Sequence, residues 1–172
     1  MARRGIVIAL TGILLFGGVF ILLPALAMQL KDSLSLPRWR VLPFQALGLV
    51  LMLTAVFLYA YCASLFSRRG GGTPSPYYPP QQLVASGLFA YSRNPIYVGY
   101  VAFLVGVFLL FGHVALLVYA ALVAVVIHIL IVNWEEPDLR RRFGREYDSY
   151  VQVVPRWLGL PRARRSSTDT AE

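Results

Sequence analysis

The sequence predicts an all-α integral membrane protein, a bundle of four transmembrane helices carrying a cytoplasmic C-terminal helix. Three observations predict it. Hydrophobic residues make up 58% of the 172 residues and charged residues 14%, a balance foreign to a soluble globule of one-domain size. The apolar excess falls into four runs, Gly5 to Met28, Val41 to Phe66, Pro95 to Phe111 and Val114 to Asn133. Most of the arginines segregate to one side of a four-span topology, leaving Lys31, Arg38 and Arg40 on the other.

The first, second and fourth runs reach the ~20 residues that cross a bilayer as a helix. The third, counted from Pro95, is at the short end of that range. Arg3 and Arg4 precede the first run as they would a secretory signal, but the run is too long for a signal's apolar region and Ala25-Leu26-Ala27 is a weak cleavage match, so a retained helix is expected. Its Gly12, Gly17 and Gly18 permit close helix contact. Leu30 to Arg40 is a short connection with Trp39 as an interfacial anchor. The second run is apolar on all sides. Tyr59 and Tyr61 stand near its end, and the lone Cys62 reads as a small buried apolar residue.

Composition then changes sharply. Residues 67–80 are dense in Gly and Pro, which excludes helix and strand. The triple glycine Gly70-Gly71-Gly72 lacks the Lys-Ser/Thr and the helix of a phosphate-binding loop. A loop of this length between short-connected helices reads as a lid or binding segment rather than a linker. Gln81 to Tyr91 is mildly amphipathic and is expected along the membrane surface until Gly87 breaks it. Pro95 suits the first turn of the third helix, and Asn94 is its expected N-cap.

Gly112-His113 is short enough only for a tight turn, so the third and fourth helices form an antiparallel hairpin that returns Pro95 and Asn133 to one membrane face. His113 reads as a surface residue at the far turn. His128, inside the fourth helix, must find a partner; an interhelical hydrogen bond is the plainer reading and a place beside a substrate the other. Neither histidine has a ligand set at metal spacing, so no metal is expected. Pro137 cannot continue a helix without a kink and is expected to start a new one, Pro137 to Gln152, with Glu136, Arg140, Phe143, Tyr147 and Tyr150 on one face. Pro161 to Glu172 reads as a disordered tail.

Sixteen basic against eight acidic residues leave a net charge of +8. Arg3, Arg4, Arg68, Arg69, Arg93 and the arginines after Asn133 share one side, which the positive-inside rule places in the cytoplasm with both termini. Anionic lipid headgroups, and not nucleic acid, are the expected partner of this charge.

The stretch Ser92-Arg93-Asn94-Pro95-Ile96-Tyr97-Val98-Gly99 sits where the polar segment meets the third apolar run, and Glu135-Glu136 where the fourth ends. Charges at the edge of hydrocarbon are costly, which makes both stretches candidates for function. Adjacent glutamates on a helix point about 100° apart, which argues against a facing carboxylate pair for glycoside or two-metal chemistry. Binding a polar cofactor that carries positive charge and hydroxyl groups, with Arg93 holding a carboxylate, suits them better. A structural salt bridge from Arg93 to Glu135 or Glu136 is the alternative.

The stretch Arg93-Asn94-Pro95-Ile96-Tyr97-Val98-Gly99 resembles the Arg-His/Asn-Pro-x-Tyr-x-Gly motif of the isoprenylcysteine carboxyl methyltransferases and related phospholipid methyltransferases. Glu135-Glu136-Pro137-Asp138-Leu139, Phe143-Gly144, Tyr147, Tyr150 and Val154-Pro155-Arg156 resemble the second signature of that family, and Gly72-Thr73-Pro74 to Pro79-Pro80 is similar to a segment of its bacterial members. Asn94 stands where the prenylcysteine enzymes usually have His, leaving a backbone or amide contact rather than a proton carrier. The resemblance implies an integral membrane methyltransferase that uses S-adenosylmethionine, with a lipidic substrate entering between helices and no metal. The resemblance covers about Gly72 to Leu158; with helices one and two (1–66) supported by hydropathy alone, the expected division continues with a loop and interfacial segment (67–94), a helical hairpin (95–133), a cofactor-binding segment (134–158) and a tail (159–172). Cofactor contacts are implied for Asn94, Pro95, Tyr97, Gly99, Glu135, Glu136, Leu139, Phe143, Tyr147 and Tyr150, and substrate contacts for Arg93, Tyr97 and His128. Arg93 and Glu136 are the implied catalytic pair. The expected acceptor is an isoprenylcysteine-like carboxylate, with a phospholipid amine as the alternative. Two readings outside this class are a sterol-reductase-like enzyme using reduced nicotinamide, against which the small number of spans argues, and a non-catalytic lipid-binding protein.

Overall fold

The computed structural model describes residues 41–74 and 78–160, together with positions 18, 24–26 and 29. The first expected span, Gly5 to Met28, the connection with Trp39 and the tail after residue 160 lie outside the described stretches. Among the described residues every regular element is helical and no strand occurs.

Five α-helices are described: α1 (Leu42–Leu65), α2 (Pro95–Phe111), α3 (Val114–Leu130), α4 (Glu136–Phe143) and α5 (Arg145–Val153). The first three follow the apolar runs to within a few residues, as continuous hydrophobic sequence with breakers only at its ends dictates. α1 and α3 belong to helical runs Leu42–Gly70 and Val114–Phe143, the two among the described residues that are long and apolar enough to cross a membrane; α2 is shorter. Large apolar side chains stand exposed along both, among them Leu42, Phe57, Leu122 and Val125, which in water would be a liability and against lipid tails is the expected outer surface.

The chain divides into two compact units, Met1–Phe57 with Gly99–Ile127, and Leu58–Val98 with His128–Glu172. Within the first, Gly48 of α1 faces Gly106 of α2 so closely that a Cβ at Gly48 would stand 2.6 Å from the Gly106 carbonyl oxygen. Small residues at a crossing let backbones approach and supply the van der Waals packing that holds helices together in lipid. Gln45 adds a hydrogen bond, its side-chain nitrogen donating to the Leu110 carbonyl at 3.2 Å. The turn between α2 and α3 is Gly112-His113, with Gly112 at φ +71°. His113 is buried at this turn, where the sequence predicts a surface residue.

The second unit departs from expectation in four places. The stretch expected to exclude helix begins as a π-helical turn, Phe66–Gly70, that continues the path of α1. The fourth run does not stop ahead of Pro137: a π-helical turn, Ile131–Glu135, carries the chain into α4, with the Glu136 N–H bonded to the Ile131 carbonyl. One extra residue per turn moves the proline ring off the carbonyl it would strike in a regular α-helix, so the helical path survives. The expected single helix Pro137 to Gln152 is instead α4 and α5, broken at Gly144, whose φ of +51° with ψ −124° is open essentially to glycine alone. Between residues 81 and 91 only Gly87–Ala90 is helical, as one 3₁₀ turn.

Tyr147, Tyr150 and Val154 form the buried centre of this unit, with Leu83, Leu139 and Phe143 packed against it. The Tyr150 hydroxyl donates to the Phe89 carbonyl at 2.7 Å. Arg140, expected on the same face, turns outward and pairs with Asp148 across the Gly144 corner at 2.7 Å, both half-exposed.

Candidate active site

The polar site lies wholly within the second unit and is assembled from three pieces of chain: residues 92–97 entering α2, the π turn with the start of α4, and residues 154–159 after α5. α3 ends at Leu130. The helical run continues to Phe143, 30 residues in all and about 45 Å, against a hydrocarbon core of ~30 Å. Glu135 and Glu136 thus fall beyond the apolar span.

Arg93 and Glu136 meet as an ion pair, terminal nitrogen to Oε1 at 2.9 Å, with side chains only 10% and 12% exposed. Arg156 grips the same carboxylate with two donors, Nε to Oε1 at 2.6 Å and a terminal nitrogen to Oε2 at 3.0 Å. Burial alone would raise the Glu136 carboxyl; the Arg156 hydrogen bond and the charges of Arg93, Arg156 and Arg140 outweigh it and hold the group below the usual carboxylate value. Glu135 is set differently. Its Oε2 accepts from the Tyr97 hydroxyl at 2.7 Å, and burial, with the charges of Glu136 and Asp138 adding to it, raises its carboxyl above the ordinary value despite that bond. Two adjacent acids therefore have opposite electrostatic settings.

Asn94 stands at the N-cap position of α2, its backbone carbonyl accepting from the Val98 N–H at 3.1 Å. Its side-chain nitrogen donates to the Arg156 carbonyl at 2.9 Å, while its backbone N–H is received by the Ser92 hydroxyl at 3.0 Å. The Arg93 N–H bonds to the Pro155 carbonyl at 3.0 Å and the Gly159 N–H to the Tyr91 carbonyl at 3.2 Å. These bonds tie the segment after α5 alongside the entry to α2, and Arg156 is thereby delivered to Glu136. At this site the buried Nε of Arg93 has no hydrogen-bond partner among the described residues.

Of the residues expected at the site, Arg93, Tyr97, Glu135 and Glu136 converge. Tyr147 is buried beside them; burial raises its phenol and the neighbouring Arg93 guanidinium partly offsets the rise. Pro95 is buried in the first turn of α2 and Gly99 in its second. Tyr150, Leu139 and Phe143 belong to the apolar cluster beneath, and burial pushes the Tyr150 phenol well up. His128 is exposed and stacks on Trp157 with ring centres 5.9 Å apart. Among the described residues no group of His, Cys, Asp or Glu could hold a metal. Arg156 is the residue that sequence reasoning missed. Its signal was an arginine directly after a helix-ending proline, inside the second signature, easily taken for the end of the ordered chain.

A cofactor with an ammonium, ribose hydroxyls and a carboxylate fits this donor set. Glu135 can accept from hydroxyl or ammonium, and the unpartnered Arg93 Nε can donate to an anion. No curated protein and no solved structure matches the chain. The model of the phospholipid methyltransferase family matches residues 44–146, which include both the Arg93 stretch and the glutamate pair, and the chain is a member of that family.

Proposed function

We propose that the protein is an S-adenosylmethionine-dependent membrane methyltransferase whose acceptor is the carboxylate of an isoprenylcysteine-like or other amphiphilic lipid. The observation that carries the acceptor is Arg93: a buried guanidinium with an unpartnered Nε, held by Glu136 and set next to Tyr97 at the start of α2, is the group that would fix an anion. Membership of a lipid-methylating family and the exposed apolar faces of α1 and α3 support a substrate presented from the bilayer. The arginine distribution supports a cytoplasmic site with both termini on that side.

Bound, the cofactor supplies an electrophilic methyl group. Arg93 orients a carboxylate by hydrogen bonding, Glu135 and the oxygen of Tyr97, whose proton goes to Glu135, contribute acceptors for cofactor hydroxyls or ammonium, and Tyr147 and the aromatic cluster keep water out. Transfer from a cation to an anion lowers charge separation, so a dry site favours it, and alignment is the main remaining demand. Asn94, Pro95, Gly99, Leu139, Phe143 and Tyr150 then shape the cofactor side; His128, on Trp157, stands on the substrate side.

One observation favours a second reading. Glu135 has a phenol and no cation among its hydrogen-bond partners, the setting for receiving an amine headgroup. The two are separated by giving methyl-labelled cofactor to membranes containing the protein and treating the lipid extract with alkali. An ester releases its label as methanol, and an N-methyl headgroup keeps it. A lipid extract without label, from protein shown to bind the cofactor, overturns the methyltransferase reading.

A further inference from the structure

Three donors converge on the single carboxylate of Glu136. Arg156 occupies both oxygens, and Arg93 reaches Oε1 with one terminal nitrogen. A guanidinium facing a free carboxylate closes on it as a fork, with two parallel N–H bonds. Arg93 does not, and its Nε stays buried and unpaired. An orphaned donor of this kind has a desolvation cost, so something must keep it from the nearest acceptor. Among the described residues the other cation bonded to that acceptor is Arg156, itself fixed because its carbonyl is held by Asn94. The charged and titratable groups around Glu136 are Arg93, Arg140, Arg156, Glu135 and Tyr147, and none but Arg156 competes with Arg93 for its oxygens.

We propose that Arg156 is a positioning residue: by occupying both oxygens of Glu136 it confines Arg93 to a single hydrogen bond on that carboxylate and leaves the Arg93 Nε free to meet a ligand carboxylate. This rests on the methyltransferase reading for the identity of the ligand, which is either the amino-acid carboxylate of the cofactor or that of the acceptor lipid.

The test uses the full chain in detergent and the variants Arg156→Gln, Arg156→Lys and, as a charge control on the exposed face, Arg145→Gln. Calorimetric binding of S-adenosylhomocysteine and of S-farnesylcysteine distinguishes the two carboxylate sources. The Arg93 Nε–H resonance, assigned by its loss in Arg93→Lys, reports the pairing without any ligand. In Arg156→Gln the resonance is expected to move to a carboxylate-paired position, and one probe to bind roughly 10-fold or more weakly, the loss of one charge-assisted hydrogen bond. Loss confined to S-adenosylhomocysteine assigns the donor to the cofactor, and loss confined to S-farnesylcysteine assigns it to the acceptor. Arg156→Lys keeps the charge but cannot cover both oxygens, so it shows the same changes in smaller degree and carries the comparison if the glutamine variant does not fold. Unchanged resonance and affinities in the variants, or an equal loss in Arg145→Gln, overturn the proposal. Wild-type protein that binds neither probe overturns the methyltransferase reading instead, and the resonance then decides the role of Arg156 alone.

Discussion

Glu136→Gln tests the electrostatic centre of the site directly. Glutamine has the shape of glutamate without its charge, and it presents an NH₂ to one of the two arginines. Three hydrogen bonds now reach the carboxylate, at 2.9, 2.6 and 3.0 Å. A bond involving a charged group contributes ~1.5–3 kcal/mol and a neutral one ~0.5–1.5, so neutralising the acceptor removes roughly 1 kcal/mol from each, about 3 kcal/mol in all. This agrees with the ~3–5 kcal/mol lost when one partner of a buried ion pair is deleted, taken at the low end because Arg156 is 32% exposed and stays solvated. For domains of this length ~2–4 °C accompanies each kcal/mol, so the thermal midpoint of the purified protein should fall by roughly 6–12 °C. A double-mutant cycle with Arg93→Met, read by thermal unfolding in one detergent, isolates the pair. A midpoint within ~2 °C of wild type for Glu136→Gln, less than one kcal/mol by the same scaling, would refute the argument that this carboxylate neutralises both arginines.

Three further outcomes are expected. Glu135 holds its proton to higher pH than an unfolded glutamate, so its ionised form opposes folding. That cost is full above the raised folded value and vanishes below the ordinary value of 4.5, and Glu135→Gln should therefore raise the unfolding midpoint more at pH 8 than at pH 4. Gly48→Ala drives a methyl group into the Gly106 backbone at 2.6 Å. It should cost ~1–3 kcal/mol in unfolding experiments while leaving cofactor-analogue affinity unaltered. Tyr150→Phe leaves the Phe89 carbonyl without its 2.7 Å donor, a loss of about 1–3 kcal/mol that should appear as faster hydrogen exchange in residues 87–92.

The apolar helices were legible because an unbroken hydrophobic run bounded by Gly and Pro leaves few alternatives, and α2 was readable to its terminal residues from Pro95 and Gly112. The convergence of Arg93 and Glu136 followed from the tight turn alone. The path through Pro137 was hidden, because a π turn has no composition of its own: it is a local accommodation of the proline ring by a helix held from both sides. The break at Gly144 was visible as a residue but not as a corner, since glycine is tolerated in helices and its positive φ is a matter of tertiary demand. Arg140 went to Asp148 for the same reason, since face arithmetic assumed one axis where there are two. Asn94 was readable as the start of α2 but not as a tie: its side-chain nitrogen donates to a backbone carbonyl more than sixty positions away, which no local pattern encodes.

The tie between residues 154–159 and the entry to α2 bears on the order of synthesis. Glu136 leaves the ribosome twenty positions ahead of Arg156, and Arg93 forty-three positions ahead of Glu136. A nascent chain that has made both helices of the hairpin thus holds an acid at the membrane edge with one counter-cation, and receives the second only when translation has passed Pro155. Products terminated before that point carry Arg93 and both glutamates and still leave the Glu136 carboxylate with a single counter-cation.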